Sequence, residues 1–166
     1  MGEMTRTFLS MLTALALIVS PTMASAQNVK QWAKIGPWYI NQTSSGDCEL
    51  FASYSMGWSI TMIYPATGEI TLVLIGRHGY KIGESVTVMI DLGVSHFPKA
   101  SMQAVQGDND DQGLATQLSA QDLDLLANAT KFGVVKPDRS WLVSLNLVDN
   151  KAGIAELKRC HAAARK

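Results

Sequence analysis

Strand periodicity is clearest in the stretch CELFASYSMGWSITMIYPATG, residues 48–68. Apolar residues occupy every second position from Cys48 to Tyr54, and the residues from Trp58 to Tyr64 repeat that two-residue period. An extended chain points successive side chains to opposite faces, so this period is typical of strands that bury one face. Residues 65–68, Pro-Ala-Thr-Gly, are turn formers. The stretch therefore predicts a β-hairpin whose inward face carries Cys48.

Further strands are predicted on both sides of this hairpin. Residues 38–40 form a short first strand, and the preceding residues 27–36 are interpreted as a polar lead-in. Residues 70–75 are apolar on both faces, which is typical of a central strand. The remaining strand candidates are residues 86–92, 101–106, 114–118, 132–135 and 141–147.

Two helices are predicted in the second half of the chain. Ser119 followed by Asp122 has the spacing of a capping box, in which each residue's side chain satisfies the other's backbone N–H. Asp149 or Asn150 can cap a last helix, and His161 falls on its apolar stripe. The fold class expected is α+β: an antiparallel β-meander or sandwich-like sheet with helices at about 119–130 and 150–163.

The first 26 residues have the pattern of a secretory signal peptide. An arginine precedes the apolar run from Phe8 to Val19, and Ala24-Ser25-Ala26 supplies small residues at the cleavage position. That run is shorter than an ordinary membrane span, and no second such run follows. We therefore expect a signal peptide over 1–26, one exported domain over 27–166, a periplasmic or secreted location, and no membrane span after cleavage.

The charge balance excludes one class of partner. The chain has 14 Lys and Arg against 14 Asp and Glu, for a net charge of zero. Proteins that bind nucleic acid need clustered positive charge to neutralise phosphates. The expected partner is therefore an unknown protein or small molecule of the cell envelope, and not nucleic acid.

Cys48 and Cys160 are the chain's two cysteines. Disulfides persist in the oxidising compartments to which exported proteins travel. Two free buried thiols are the alternative. We predict that the pair is bonded and that it ties the last helix to an early strand.

Candidates for catalysis are few and dispersed. Asp91-Leu92-Gly93 resembles an aspartic-protease loop, but Leu92 stands where that family has Ser or Thr. His78, His96 and His161 show neither zinc-ligand spacing nor a G-x-S-x-G elbow to support a triad, so they are interpreted as surface or loop residues. No catalytic residue, metal ligand or cofactor is predicted.

Two other motifs have a structural interpretation that we favour. Residues 108–113, Asp-Asn-Asp-Asp-Gln-Gly, begin like a calcium loop, but Ser119 occupies the position of the bidentate carboxylate. We interpret them as an acidic turn. Trp32, Trp38, Trp58 and Trp141 could line a ligand groove, but three lie in strand patterns, which favours packing in the core.

The arrangement resembles a group of small exported proteobacterial proteins of unknown function. They share a tryptophan strand, a cysteine soon after it, a β-meander and a last helix ending in cysteine; here these are Trp38, Cys48, the strands from Trp58 to Leu92, and Leu157 to Cys160. The chain is also similar in class to the invasion-associated periplasmic B family, which is exported and β-rich. These resemblances imply a fold and a compartment but no activity.

The expected function is that of a non-enzymatic envelope-accessory or binding module that presents a sheet face or edge to a partner. The alternative is a small periplasmic hydrolase that uses Asp91 or one of the scattered histidines. A cleft that brings His78, Asp91 or His96 together would favour the hydrolase.

Overall fold

The computed structural model describes residues 29–93, 96–107 and 111–165, with side chains 96–98 left out. These residues form ten strands and two helices. The strands are β1 Lys30–Ile35, β2 Trp38–Gln42, β3 Cys48–Tyr54, β4 Trp58–Tyr64, β5 Ile70–Ile75, β6 Ser85–Asp91, β7 His96–Gln106, β8 Gln112–Leu118, β9 Lys131–Val135 and β10 Trp141–Asn146. The helices are α1 Ala120–Ala127 and α2 Asn150–Ala164.

All ten strands belong to one antiparallel sheet in the order β1-β2-β3-β4-β5-β8-β7-β6-β9-β10. The predicted α+β class is therefore confirmed. The hairpin predicted from residues 48–68 is β3 and β4, joined by a turn at Ser55–Gly57, and Pro65–Gly68 joins β4 to β5. Strand order changes after β5, which pairs with β8 instead of β6.

The expectation of a polar lead-in at residues 27–36 is corrected by the structure. Lys30–Ile35 forms a strand that pairs with β2. Its side chains are mostly exposed, so local periodicity is weak there. This strand exists because β2 supplies hydrogen-bond partners, which its own sequence does not reveal.

Both helices pack on one face of the sheet, the inner face, which carries the core. Alternate residues of most strands are buried there, as in β3, where Cys48, Leu50 and Ala52 are fully buried. Helix α2 covers β1, β2 and β3. Gly153 allows its close approach, since a Cβ at that position would lie 3.1 Å from Cγ of Trp38. Trp38 in turn donates from Nε1 to the Val148 carbonyl at 2.7 Å.

The ends of the two helices are joined by Asn150. The Ser119–Asp122 capping box of α1 is present as predicted. For α2, the N-cap residue is Asp149, but its side chain makes no capping hydrogen bond. The buried Asn150 instead donates from Nδ2 to the carbonyls of Leu126 at 2.6 Å and Ala129 at 3.0 Å, at the carboxyl end of α1. The expectation that Asn150 caps its own helix is thus corrected: it caps the other one.

Candidate functional site

The predicted disulfide is present in the structure. Cys48 begins β3 and Cys160 lies near the end of α2, 112 residues later, with their Cα atoms 6.1 Å apart. Both residues are fully buried. The bond holds the last helix against the inner face of the sheet at the point where β3 starts.

His161 lies beside this disulfide in an apolar setting. Its ring stacks on Tyr64 with the ring centres 3.6 Å apart, and Tyr64 is the cross-strand neighbour of Cys48. The residue is 6% exposed, and neither ring nitrogen has a hydrogen-bond partner among the described residues. Burial lowers the pKa of His161, and the charge of Arg165 lowers it further. Both effects favour the neutral imidazole, which packs against Tyr64 between α2 and the sheet.

His78 is also buried, in the loop between β5 and β6. Its Nδ1 accepts a hydrogen bond from the Tyr80 backbone N–H at 3.1 Å, and the two rings stack. Burial lowers the pKa of His78, while the Gly113 carbonyl and Glu84 act in the opposite direction. The interpretation of the histidines as surface or loop residues is therefore wrong for His161. It holds for His78, which lies in a loop but is buried.

Asp91 ends β6 and faces away from the core. Its carboxylate lies 2.8 Å from Nζ of Lys131 and accepts a hydrogen bond from the Gly93 N–H at 2.8 Å. His78 precedes the other end of β6, and seven residues of strand span about 20 Å. His161 packs on the inner face of the sheet. The structure therefore does not bring His78 or His161 to Asp91; His96 pairs with Asp91 through the backbone, but its side chain lies outside the described residues.

An exposed tryptophan, Trp141, lies close to Asp91 on the outer face of β6, β9 and β10. The Trp141 ring packs over Gly133, where a Cβ would approach Cζ3 of the ring to 2.5 Å. Nζ of Lys131 is 5.2 Å from the centre of the same ring. Met89, Val135 and Trp141 form one register row across the three strands. We call the row Met89, Val135 and Trp141 the outer apolar row.

The four tryptophans divide evenly between core and surface. Trp38 and Trp58 are buried, but Trp141 is 51% exposed and Trp32 is 38% exposed. Of the three tryptophans in strand patterns, core packing is therefore confirmed for Trp38 and Trp58 and wrong for Trp141; Trp32, in the expected lead-in, is exposed as well. Sequence alternation alone could not predict that Trp141 is exposed, because a β-bulge shifts the register between Trp141 and Val143.

The two edges of the sheet differ in chemistry. The β1 edge carries Lys30 and Lys34 and has a bulge, features that discourage pairing with another chain. The β10 edge, Trp-Leu-Val-Ser-Leu-Asn, contains neither a charged residue nor a proline. In the described part of the chain it is the last strand, and it adjoins the outer apolar row.

No metal centre is found among the described residues, where no three His, Cys, Asp or Glu side chains gather closely enough to hold an ion. Residues 108–110 of the acidic motif lie outside that part. Its Asp111 is described, and the Asp111 carbonyl accepts a hydrogen bond from the Gly107 N–H at 2.8 Å. In the same described residues, neither helix has the length and apolar character needed to cross a membrane.

Comparison with known proteins gives a likeness of fold. No protein-family model and no curated protein matches the chain. The fold is similar to that of the crystal structure of invasion associated protein B from Bartonella henselae, with a TM-score of 0.60 and 10% sequence identity, over 81% of this chain and 98% of that chain. The resemblance drawn from the sequence is thus confirmed at the level of the fold.

Proposed function

We propose that residues 27–166 form an exported, non-enzymatic binding module that takes an extended segment of an envelope protein along β10. The observation that carries this proposal is the uncharged edge of β10 beside an exposed tryptophan. An added strand gains affinity from main-chain hydrogen bonds and specificity from alternate side-chain contacts. The β1 edge also has an exposed tryptophan, Trp32, but its lysines and its bulge discourage pairing, so the proposed site is at the β10 end of the sheet only.

The side chains beside β10 define the chemistry of the partner segment. On the inner face Val143 and Leu145 are buried, so a paired strand must place apolar residues next to them. On the outer face the Trp141 ring is open to solvent at the end of the outer apolar row. Large, half-exposed aromatic residues dominate binding energy in many interfaces. The segment is therefore uncharged and carries an apolar side chain that contacts Trp141.

Location outside the cytoplasm is part of the same proposal. The pattern of residues 1–26 predicts export, and the Cys48–Cys160 disulfide supports residence in an oxidising compartment. A hydrolase is not proposed, because the described candidates for acid–base chemistry lie at different ends and faces of the sheet.

Site-specific cross-linking in the envelope of the host tests this function. A photoreactive residue at position 146, at the end of β10, should cross-link to a protein through an extended apolar segment. Position 53 on the interior strand β3 is the matched control, since Ser53 is also exposed. Trp141→Ala and Ser144→Lys should abolish the cross-link, and Ser53→Lys should not. Equal cross-linking from positions 146 and 53, or cross-linking that survives both β10 variants, would contradict the proposal.

A further inference from the structure

A half-open cavity of about 240 Å³ lies between the inner face of the sheet and helix α1. It is separate from the β10 edge. Its walls are mostly apolar and come from β5, β6, β7, β8, β9 and α1. The principal apolar lining residues are Leu72, Ile90, Ala100, Leu118, Leu126 and Phe132.

The cavity exists because the helices cover the inner face unevenly. Helix α2 packs on β1, β2 and β3, whereas α1 has eight residues and packs on α2 and β8. Beneath α1 the sheet presents Ala100 and Thr116, whose side chains are small. The position of α1 is fixed by its capping box at one end and by Asn150 at the other. The space is therefore held open by the fold.

Two of the polar side chains around the cavity, Thr116 and Asp122, have partners within the protein. Oγ1 of Thr116 donates to the Ser101 carbonyl at 3.0 Å. The Asp122 carboxylate accepts hydrogen bonds from the Ser119 N–H at 2.8 Å and hydroxyl at 2.7 Å. Groups that are already paired offer few hydrogen bonds to water, and the rest of the lining is mostly apolar, so an apolar ligand is favoured because it removes this surface from water.

The size and rim of the cavity define a ligand class. An engineered cavity of about 150 Å³ binds benzene, so a volume of 240 Å³ has room for one ring and a short substituent. Lys99 and Asp122 both line the cavity and carry opposite charges. Because these two charges are opposite, the lining carries no net charge, which favours a ligand without a charge of its own.

We infer that this cavity is a binding site for a small apolar molecule, a single ring or short alkyl chain, with an uncharged polar end. The ring or chain contacts Leu72, Leu126 and Phe132. The hydroxyl or amide end lies at the rim with Lys99 and Asp122. This site is independent of partner binding at β10, because it uses the inner face of other strands.

Titration with benzyl alcohol, followed by NMR of the exported protein, tests the inference. We expect saturable shifts and nuclear Overhauser contacts from the ring protons to the methyl groups of Leu72 and Leu126. Benzoate and benzylamine, which share the ring but carry opposite charges, should each bind at least tenfold more weakly. No saturable shift, or contacts only on the outer face, would overturn the inference whatever the behaviour at β10.

A pair of alanine variants provides the control for position. Ala100→Leu adds bulk inside the cavity and should weaken benzyl alcohol binding at least tenfold. Ala115→Leu adds the same bulk on the neighbouring strand β8, facing outward, and should leave the affinity within twofold. Equal affinity in the two folded variants would exclude the cavity as the binding site. If Ala100→Leu does not fold, the contacts to Leu72 and Leu126 in the natural protein decide the question.

Discussion

Two buried polar residues, Asn150 and His161, differ in whether their polar atoms have hydrogen-bond partners. The Asn150 amide satisfies carbonyls at the end of α1, so its burial is compensated by hydrogen bonds. The ring nitrogens of His161 have no such partners in the described part of the chain, so its burial is compensated only by stacking on Tyr64. A polar group without a partner makes stability sensitive to its protonation.

We predict that His161 makes the protein less stable in acid. Burial places its folded-state pKa below the ordinary value of 6.5, so below that value the unfolded chain binds a proton that the folded chain resists. The contribution is complete above about pH 7 and is lost progressively as the pH falls through 6.5 towards the lower folded-state pKa. His161→Phe keeps the stacked ring and should flatten this part of the pH profile.

Urea unfolding of both proteins between pH 7.5 and 5 measures the effect. His78, whose pKa burial also lowers, remains in the variant, so some acid sensitivity should persist. Between pH 7.5 and 5 the His161→Phe variant, which retains His78, should therefore lose less stability than the natural protein but still lose some. A variant that loses as much stability in acid as the natural protein would contradict the prediction.

Two elements are coupled through one side chain at the α1–α2 junction. Helix α1 is short, and isolated helices of this length are marginal. It therefore depends on what holds its ends. The Ser119–Asp122 pair fixes the first turn, and Asn150 at the start of α2 fixes the last. Removing either the capping pair or Asn150 should loosen α1, which forms one wall of the cavity.

Asn150→Ala should destabilise the protein by about 1–3 kcal/mol, because it leaves buried carbonyls at the end of α1 without their donor. For a domain of this size that corresponds to a fall in Tm of roughly 2–4 °C per kcal/mol. Asn146→Ala, at an exposed asparagine on β10, is the matched control and should change stability by less than about 0.5 kcal/mol. Similar melting temperatures for the two variants would show that the Asn150 contacts contribute little.

At the scale of the whole molecule, local patterns predicted the elements better than their arrangement. Alternation from Cys48 to Tyr64 identified β3 and β4, and the Ser119–Asp122 spacing identified α1, because each pattern reflects local geometry. Strand β1 was missed since its side chains are mostly exposed and its pairing with β2 is the reason it is a strand. The pairing of β5 with β8 depends on contacts between residues 38 to 48 positions apart, from Ile75–Gly113 to Ile70–Leu118, which no local period contains.

The candidate sites also divide into those that the local sequence predicts and those that depend on the arrangement of distant elements. The Cys48–Cys160 bond was predicted because the chain is expected to be exported and its two cysteines leave one pairing. The exposed Trp141 was not predicted, because its exposure depends on a bulge and on Gly133 beneath its ring. The cavity under α1 could not be predicted at all, since its walls come from six elements that only the fold brings together.

The disulfide acts at this whole-molecule scale, because it joins a strand near the start of the sheet to the last helix across 112 residues. In the loop-entropy model, closing about 100 residues restricts the unfolded chain by roughly 4–5 kcal/mol at most. Cys48→Ala with Cys160→Ala should therefore lower Tm by several degrees, and reductant should lower the Tm of the natural protein similarly. Reductant should not change the Tm of the double variant, which is the control for indirect effects.

Intact mass after alkylation tests the bond itself: two modified thiols in untreated exported protein would contradict it. An unchanged Tm in the double variant would mean instead that the contacts of Gly153 with Trp38 and of His161 with Tyr64 suffice to hold α2 on the sheet.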